Sequence, residues 1–387
     1  INNCHCKICA GKKKLMKLII DRSSFLRPLG HVQSVVERRN TIPILANVLL
    51  KARNGKVQLT ATDMDMDILE SISCNILQEG SLTVPAHTLY DIVRKLPEGA
   101  EVSLETDTEN KRLLVSAGRS KFTLPSLPAD EFPAMSEETL PYSFSLTVDD
   151  GRALIDKTRF AISNEETRYY LNGIYFHASE TNDVPMLKAV ATDGHRLARV
   201  EIPLPEGAKD MPSIIIPRKA VAEIRKLIDD WSDDIDVSLS DTKICFSIGD
   251  IVLSTKLIDG TFPDYERVIP SGNDKTMHVD CKGLSEAVDR VATISTEKSR
   301  AIKLNLTSSN LVLSASSPES GTATEELEVN YAGEEIEIGF NSRYLLDISN
   351  QIEGENIEFS LADPGSPTIV RDQDDNSALY VLMPMRV

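Results

Sequence analysis

One pattern occurs three times along this chain, and that repeat constrains the fold more than any other feature. Val84-Pro85 opens VPAHTLYDIVRKLPEGAEVSL, Ile216-Pro217 opens IPRKAVAEIRKLIDDWSDDIDVSL, and Phe340-Asn341 opens FNSRYLLDISNQIEGENIEFSL. Apolar residues recur at helical spacing in each: Leu89, Ile92, Leu96; Val221, Ile224, Ile228; Leu345, Ile348, Ile352. A polar turn follows, then an alternating strand that ends in Ser-Leu. A period of about 3.6 residues giving way to one of about 2 predicts a helix packed by one face on a sheet.

The flanking segments repeat in the same order. Further helices are expected from Asp21, Asp149 and Asp280 onward. Strand pairs are expected in NVLLKARNGKVQLTATD, where Asn54-Gly55 marks a tight turn, in IYFHASETNDVPMLKAVATD, and in IKLNLTSSNLVLSASS. Phe132-Pro133 and Phe262-Pro263 close matching strings, LPADEFP and LIDGTFP. The period is about 125 to 130 residues, the size of a whole domain and far beyond a solenoid unit. The reading is three similar α+β domains, over 16–143, 144–272 and 273–387, each carrying its own internal duplication.

A net charge of -17 argues against a general nucleic-acid coat, since phosphate binding needs a basic surface. The basic residues are nevertheless concentrated in the predicted helices: Arg22, Arg27, Arg94, Lys95, Arg152, Lys157, Arg159, Arg218, Lys219, Arg225, Lys226, Lys282, Arg290 and Arg343. Acids gather in turns such as 63–67 and 229–236. Helices lining one side of a curved structure would give that side a positive face.

No run reaches the roughly 20 apolar residues of a membrane span, and no signal-peptide pattern opens the chain. Cys74, Cys245 and Cys281 stand alone in apolar strings, which is no disulfide framework, so the expected compartment is the cytoplasm. Residues 1–15 differ from the rest and are expected to be a leader or disordered extension ahead of Met16. Their Cys4-His5-Cys6-Cys9 cluster has metal-ligand chemistry but irregular spacing and no second ligand pair, so no metal site is assigned.

No phosphate-binding glycine loop, dinucleotide fingerprint, zinc-protease motif or nucleophile elbow is present. Thr192-Asp193-Gly194-His195-Arg196 offers the one candidate acid–base pair, His195 with Asp193. His87, His177 and His278 have no companions at useful spacing. An enzyme acting through His195 and an open scaffold that binds partners through its tail are the alternatives to a DNA-binding role.

RYYLNGIYF (168–176), ATDGHRLA (191–198), STKLIDGTFPDYERVIP (254–270) and YVLMPMRV (380–387) closely resemble the bacterial DNA polymerase III β subunit family. TIPILANVLL (41–50) and VPAHTLYDIVRKLPEGAE (84–101) resemble it too, so the similarity runs in order from Met16 to Val387. The resemblance implies a sliding clamp: three domains form a half-ring, and two chains close head to tail with helices inside and sheets outside. It implies no catalytic residue and no cofactor, but a processivity factor that tethers the polymerase.

DNA contacts are implied at Arg39, Arg168, Tyr169, Tyr170, Arg218 and Lys219. A peptide pocket is implied at Leu171, Thr192, Gly194, His195, Arg196, Leu197, Pro263, Arg267, Val268, Asn341, Tyr344, Val381, Leu382, Met383, Pro384, Met385, Arg386 and Val387. A chain end rich in thioethers suits varied apolar partners. A dimer contact is implied between Phe122 and Leu124 of one copy and Thr293 and Ile294 of the next. The implied partners are duplex DNA of any sequence, a second copy, the replicative polymerase α subunit and the clamp loader. Repair polymerases, a mismatch-repair protein and ligase complete the set, with no membrane. The sequence departs from the family at Glu165, where a neutral amide is usual, at Ser299, and in the loop holding Gly365 and Pro367.

Overall fold

The computed structural model describes residues 16–107, 111–133, 138–229, 231–295 and 300–386. Residues 1–15 with their Cys/His cluster, Ser299 and Val387 lie outside these. The first copy of the repeat comprises β1 (Lys17–Asp21), α1 (Arg22–Val35), β2 (Asn47–Arg53), β3 (Lys56–Thr62), β4 (Met66–Ser73), β5 (Asn75–Gln78), β6 (Gly80–Pro85), α2 (Ala86–Lys95), β7 (Glu101–Asp107), β8 (Arg112–Ala117) and β9 (Ser120–Pro125). The second comprises β10 (Tyr142–Leu146), α3 (Val148–Arg159), β11 (Gly173–Thr181), β12 (Val184–Thr192), β13 (Arg196–Pro203), β14 (Ile214–Pro217), α4 (Arg218–Leu227), β15 (Ile235–Leu239), β16 (Lys243–Ile248) and β17 (Ile251–Lys256). The third comprises β18 (Lys275–Asp280), α5 (Cys281–Ala292), β19 (Ala301–Thr307), β20 (Asn310–Ser317), β21 (Gly321–Glu328), β22 (Asn330–Tyr331), β23 (Ile336–Asn341), α6 (Ser342–Ser349), β24 (Asn356–Leu361), β25 (Thr368–Asp372) and β26 (Ala378–Leu382). Mixed α and β content in a threefold repeat is the class the sequence predicted.

Two compact units emerge. One takes the described residues up to 139 with 245–255, and the other takes 140–244 with 256–387. In the first unit, β5-β1-β7-β8-β9 form one sheet and β17-β4-β3-β2-β6 run as consecutive neighbours in another. Asn54 and Gly55 both adopt positive φ, 53° and 75°, closing the β2–β3 hairpin as the sequence predicted. In the second unit a nine-stranded sheet runs β14-β11-β12-β13-β26-β25-β24-β18-β22, beside a four-stranded sheet β21-β20-β19-β23.

The tail strand β26 sits in the middle of the nine-stranded sheet, not at an edge. All five of its residues are buried, so both faces are covered and its apolar run is continuous rather than alternating. It pairs with β13 on one side and β25 on the other, joining the second and third copies.

Helix caps follow the sequence reading with one shift. Asp21 caps α1, accepting from Ser24 N, and Asp280 caps α5, accepting from Gly283 N. Thr147, not Asp149, caps α3, its hydroxyl accepting from Asp150 N. Asp149 lies in the first turn, where a carboxylate suits the helix dipole.

Each helix pair is tied the same way. Arg22 at the start of α1 donates to Val93 O (3.1 Å) and Arg94 O (2.8 Å), the orphan carbonyls closing α2. Arg152 of α3 donates to Ile228 O and Asp229 O (both 2.9 Å) and Trp231 O (3.1 Å), just past α4. Cys281 opens α5 and sends its thiol to Ser349 O (3.5 Å) at the end of α6. The helix cations are therefore partly structural. The excess is also uneven: α1, α2 and α4 carry eight basic residues against two acids, whereas α3, α5 and α6 are balanced.

Candidate binding sites

The turn between β12 and β13 is built by its own side chains. The Asp193 carboxylate accepts from His195 N (2.9 Å) and Arg196 N (3.0 Å). The Thr192 hydroxyl accepts from Gly194 N (3.1 Å) and donates to Arg196 O (2.7 Å). Gly194 takes φ +88°, a conformation that favours glycine, although its counterpart Met64 in the first copy adopts φ 82°, and the tip of the Arg168 side chain packs against the glycine. The first copy builds the same turn from Thr62, Asp63 and Met64, with Asp63 accepting from Asp65 N and Met66 N. The turn is thus common scaffold, and what it presents differs.

Here it presents His195, exposed to solvent. The Asp193 carboxylate is spent on backbone amides and on Arg196 Nε (3.1 Å), not on the His195 ring. The acid–base pair considered from the sequence is not formed. Arg196 is buried and braces the site: it meets Asp347 at 2.5 Å, donates to Phe160 O, and lies 5.0 Å from the Phe160 ring centroid and 4.3 Å from that of Tyr344. Burial raises the Tyr344 phenol above its ordinary pKa, with the Asp193 charge adding to the effect.

Leu171, Leu197 and Val381 form one apolar cluster with Phe262 and Tyr265, and Tyr170 packs against it. The tail runs over this cluster. Met383 N donates to His195 O (3.0 Å) and Met385 N to Gly339 O (2.8 Å), carrying the chain from β13 toward β23. Leu382 is buried in β26, while Met383, Val268, Pro263, Arg267 and Arg386 are exposed and Pro384 and Met385 half-buried. Asn341 caps α6 through Arg343 N (3.0 Å), setting Tyr344 one turn along. These contacts link the Thr192–Arg196 turn, the cluster of Leu171, Leu197 and Val381, Tyr344 and the tail as far as Met385, and Pro263, Arg267 and Val268 lie on the segment that Phe262 and Tyr265 anchor in that cluster. Gly365 sits in a turn closed by the Asp363 carboxylate, and Pro367 O accepts from Asn273.

Of the implied DNA contacts, Tyr169 is 52% exposed and packs edge-on to Tyr170, ring centroids 5.8 Å apart. Arg168 is gripped by Glu165 through two nitrogens at 2.8 Å and also donates to Asp193 O (3.1 Å). That ion pair holds the Glu165 carboxyl below its ordinary value. Arg218 and Lys219 are exposed in the first turn of α4. Cations there oppose the helix dipole, so their placement is not explained by helix stability. Arg39 is exposed just after α1 in the first unit.

Phe122 and Leu124 lie on β9, an edge strand, and share a face. Leu124 is only 6% exposed within its own sheet, so Phe122 has the more available surface. Thr293 follows α5 and is exposed, and Ile294 is half-buried. No cluster of three or more His, Cys, Asp or Glu suited to a metal occurs among the described residues, and no described helix is long and apolar enough to cross a membrane.

Sequence reasoning missed His177, which is not alone. Its Nε2 lies 3.0 Å from the Tyr265 hydroxyl, and Lys188 and then Glu201 stand across from it on β12 and β13. Spacing along one strand cannot show partners supplied by its neighbours.

The chain matches three family descriptions in succession: DNA polymerase III beta subunit, N-terminal domain, over residues 16–136; central domain, over 145–264; and C-terminal domain, over 266–386. A beta sliding clamp of Caulobacter vibrioides is 52% identical over 372 residues, covering 96% of this chain and all of that protein. The Escherichia coli K12 beta sliding clamp is 38% identical over 375 residues, again covering 96% of this chain and all of that protein. A crystal structure of a Caulobacter crescentus beta sliding clamp superposes with TM-score 0.95 at 52% identity, over 97% of this chain and all of that one. A Bartonella birtlesii DnaN sliding clamp bound to griselimycin superposes with TM-score 0.94 at 49% identity, over 96% and 100%.

Proposed function

Because the chain belongs to the DNA polymerase III beta subunit family, whose members are non-catalytic processivity factors, we propose that it works as a head-to-tail dimer closed around duplex DNA. The groove beside the tail would take short peptides from the replicative polymerase α subunit, the clamp loader, repair polymerases, a mismatch-repair protein and ligase, all in the cytoplasm. The same groove is the proposed seat of griselimycin. The observation that supports the reading is that Leu171, Leu197 and Val381, scattered over some two hundred residues, share one apolar cluster, and that the tail beyond it is tied to His195 and Gly339 with the Met383 thioether exposed.

Topology then supplies retention without tight contacts. A closed ring leaves DNA only at an end, so each phosphate contact can be weak, and weak contacts blind to sequence permit sliding. Arg218 and Lys219 at a helix start are suited to this, because the dipole adds to their positive potential and the phosphate carries no base identity. Tyr169 offers an exposed ring for stacking or for a phosphate hydrogen bond. Unlike charges on two edge strands suit a heterologous joint: β9 follows Arg119 and carries Lys121, while β21 carries Glu325, Glu326 and Glu328.

The test is topological. Labelled protein is loaded on nicked circular DNA by a matched clamp loader with ATP, and the DNA is then linearised. Retention on the circle with loss after cutting is expected. Equal retention on both forms would mean ordinary site binding and would remove the ring.

A further inference from the structure

We infer that His177 is a positioning residue for the peptide groove: through Tyr265 it fixes the rim formed by residues 262–268, and ligand affinity therefore falls on acidification. The inference rests on the groove reading above.

The rim segment is irregular, with only a short 3-10 turn over Tyr265–Val268. Its fixed points are side chains. Phe262 and Tyr265 turn inward and are 7% and 4% exposed, while Arg267 and Val268 face solvent. The Phe262 ring lies flat on Tyr175, with centroids 4.7 Å apart and planes 3° from parallel. Tyr175 stacks in turn on His177 at 4.8 Å, and His177 returns to the rim through the Tyr265 hydroxyl at 3.0 Å. Four rings thus make a closed clip, two on β11 and two on the rim. His177 supplies the polar link in it.

The charges around His177 make that link sensitive to protonation. Lys188 stands directly across on β12 and is 4% exposed. Glu201 on β13 faces Lys188, and its carboxylate lies 3.8 Å from both Lys188 and Arg199 while accepting from Thr181 at 3.0 Å. Arg199 Nε is buried with no partner among the described residues. Two cations already share one half-buried carboxylate, so an imidazolium added to the row would be a third. The exposed Glu266, beside Tyr265, is the remaining acid facing the ring.

Burial holds the His177 pKa below its ordinary value, with Lys188 and Arg199 lowering it further against Glu266 and the Ala178 backbone. The sign follows from that depression. The neutral ring, and with it the docked rim, is fully populated above the ordinary histidine pKa and is lost as pH falls through the lowered one. Burial also keeps the Tyr265 phenol protonated throughout this range.

The experiment is calorimetric titration of the full chain with griselimycin at several pH values from about 7.5 down to about 4.5, a window that reaches well below the ordinary histidine value because that of His177 is lowered. Wild type, His177→Gln, Tyr265→Phe and His195→Ala are compared, because His195 is a second histidine beside the tail. Wild-type affinity should fall about fivefold across the range, a change of about 1 kcal/mol. His177→Gln should flatten the slope, His195→Ala should leave it in place, and Tyr265→Phe should weaken binding about threefold at the upper pH, a change of about 0.6 kcal/mol. A slope that survives His177→Gln overturns the inference, as does one that disappears only in His195→Ala. A wild type that fails to bind griselimycin overturns the groove reading as well, whereas tight binding without pH dependence overturns this inference alone.

Discussion

Arg168 is claimed by two surfaces at once. Its guanidinium, implied by resemblance as a DNA contact, is gripped by Glu165 and tied to the carbonyl of Asp193 in the groove turn. Replacing Glu165 with Gln removes the competing carboxylate while the turn keeps its own bonds from Asp193 and Thr192. Duplex DNA binding by Glu165→Gln should therefore strengthen at low salt, its log–log salt slope steepening by about one released counterion. Anisotropy titrations over a salt series read this directly, with griselimycin affinity unchanged as the control. An unaltered slope would mean that Arg168 touches no phosphate. At this scale the sequence was legible where neighbours along the chain do the work, as in the Thr192–Arg196 turn. It was opaque where partners come from other strands, which is why His177 looked solitary, and spacing alone did not show that the Asp193 carboxylate is taken by the amides of its own turn and by Arg196 and not by the His195 ring.

Among the elements, the tail divides into a strand and an extension. β26 ends at Leu382 and is held on both sides, whereas the described residues beyond it are tied by Met383 N to His195 O and Met385 N to Gly339 O. Removing residues 383–387 should spare the fold and the dimer but weaken griselimycin binding at least about a hundredfold, a loss of about 2.7 kcal/mol. Calorimetry and sedimentation would check both halves, and loss of the dimer would reassign the tail as structural. A second element-level link joins α3 to the turn before β26, where Lys157 Nζ meets Asp375 at 2.9 Å and Ser377 donates twice to the same carboxylate. Burial alone would raise the Asp375 pKa, but these bonds overrule it and bring it to about 2 from 3.8. A depressed acid stabilises above its ordinary value and loses that contribution as pH falls toward the lowered one. Asp375 is 37% exposed, so screening leaves about 1 kcal/mol in favour of wild type over Asp375→Asn near neutrality, vanishing near pH 2. Thermal melts at the two pH values would show it. Helices and hairpins were legible because their periods are local. The mid-sheet place of β26 was not, since a short apolar run does not say how many strands flank it.

For the whole molecule, the sequence was most informative: a threefold repeat in order and spacing predicted the architecture before any contact was known. Closure between copies is the step that a single chain leaves to experiment, and Phe122 is where it can be tested. It lies on the edge strand β9, half-exposed, whereas Leu124 on the same face is already packed inward. A carboxylate at 122 would sit in an apolar joint without a partner, a burial that costs several kcal/mol, and would do so at both joints of a symmetric ring. Phe122→Asp should therefore run as a monomer in sedimentation at micromolar concentration, with its melting temperature nearly unchanged. The groove lies in the other unit of the chain, so griselimycin binding should match wild type. Retention on nicked circular DNA should disappear, because an open half-ring has no topological hold and an acidic chain of net charge -17 has little electrostatic hold either. A dimeric Phe122→Asp would move the joint elsewhere. A monomer still retained on circles would detach retention from closure, leaving the basic helix starts to hold DNA by themselves.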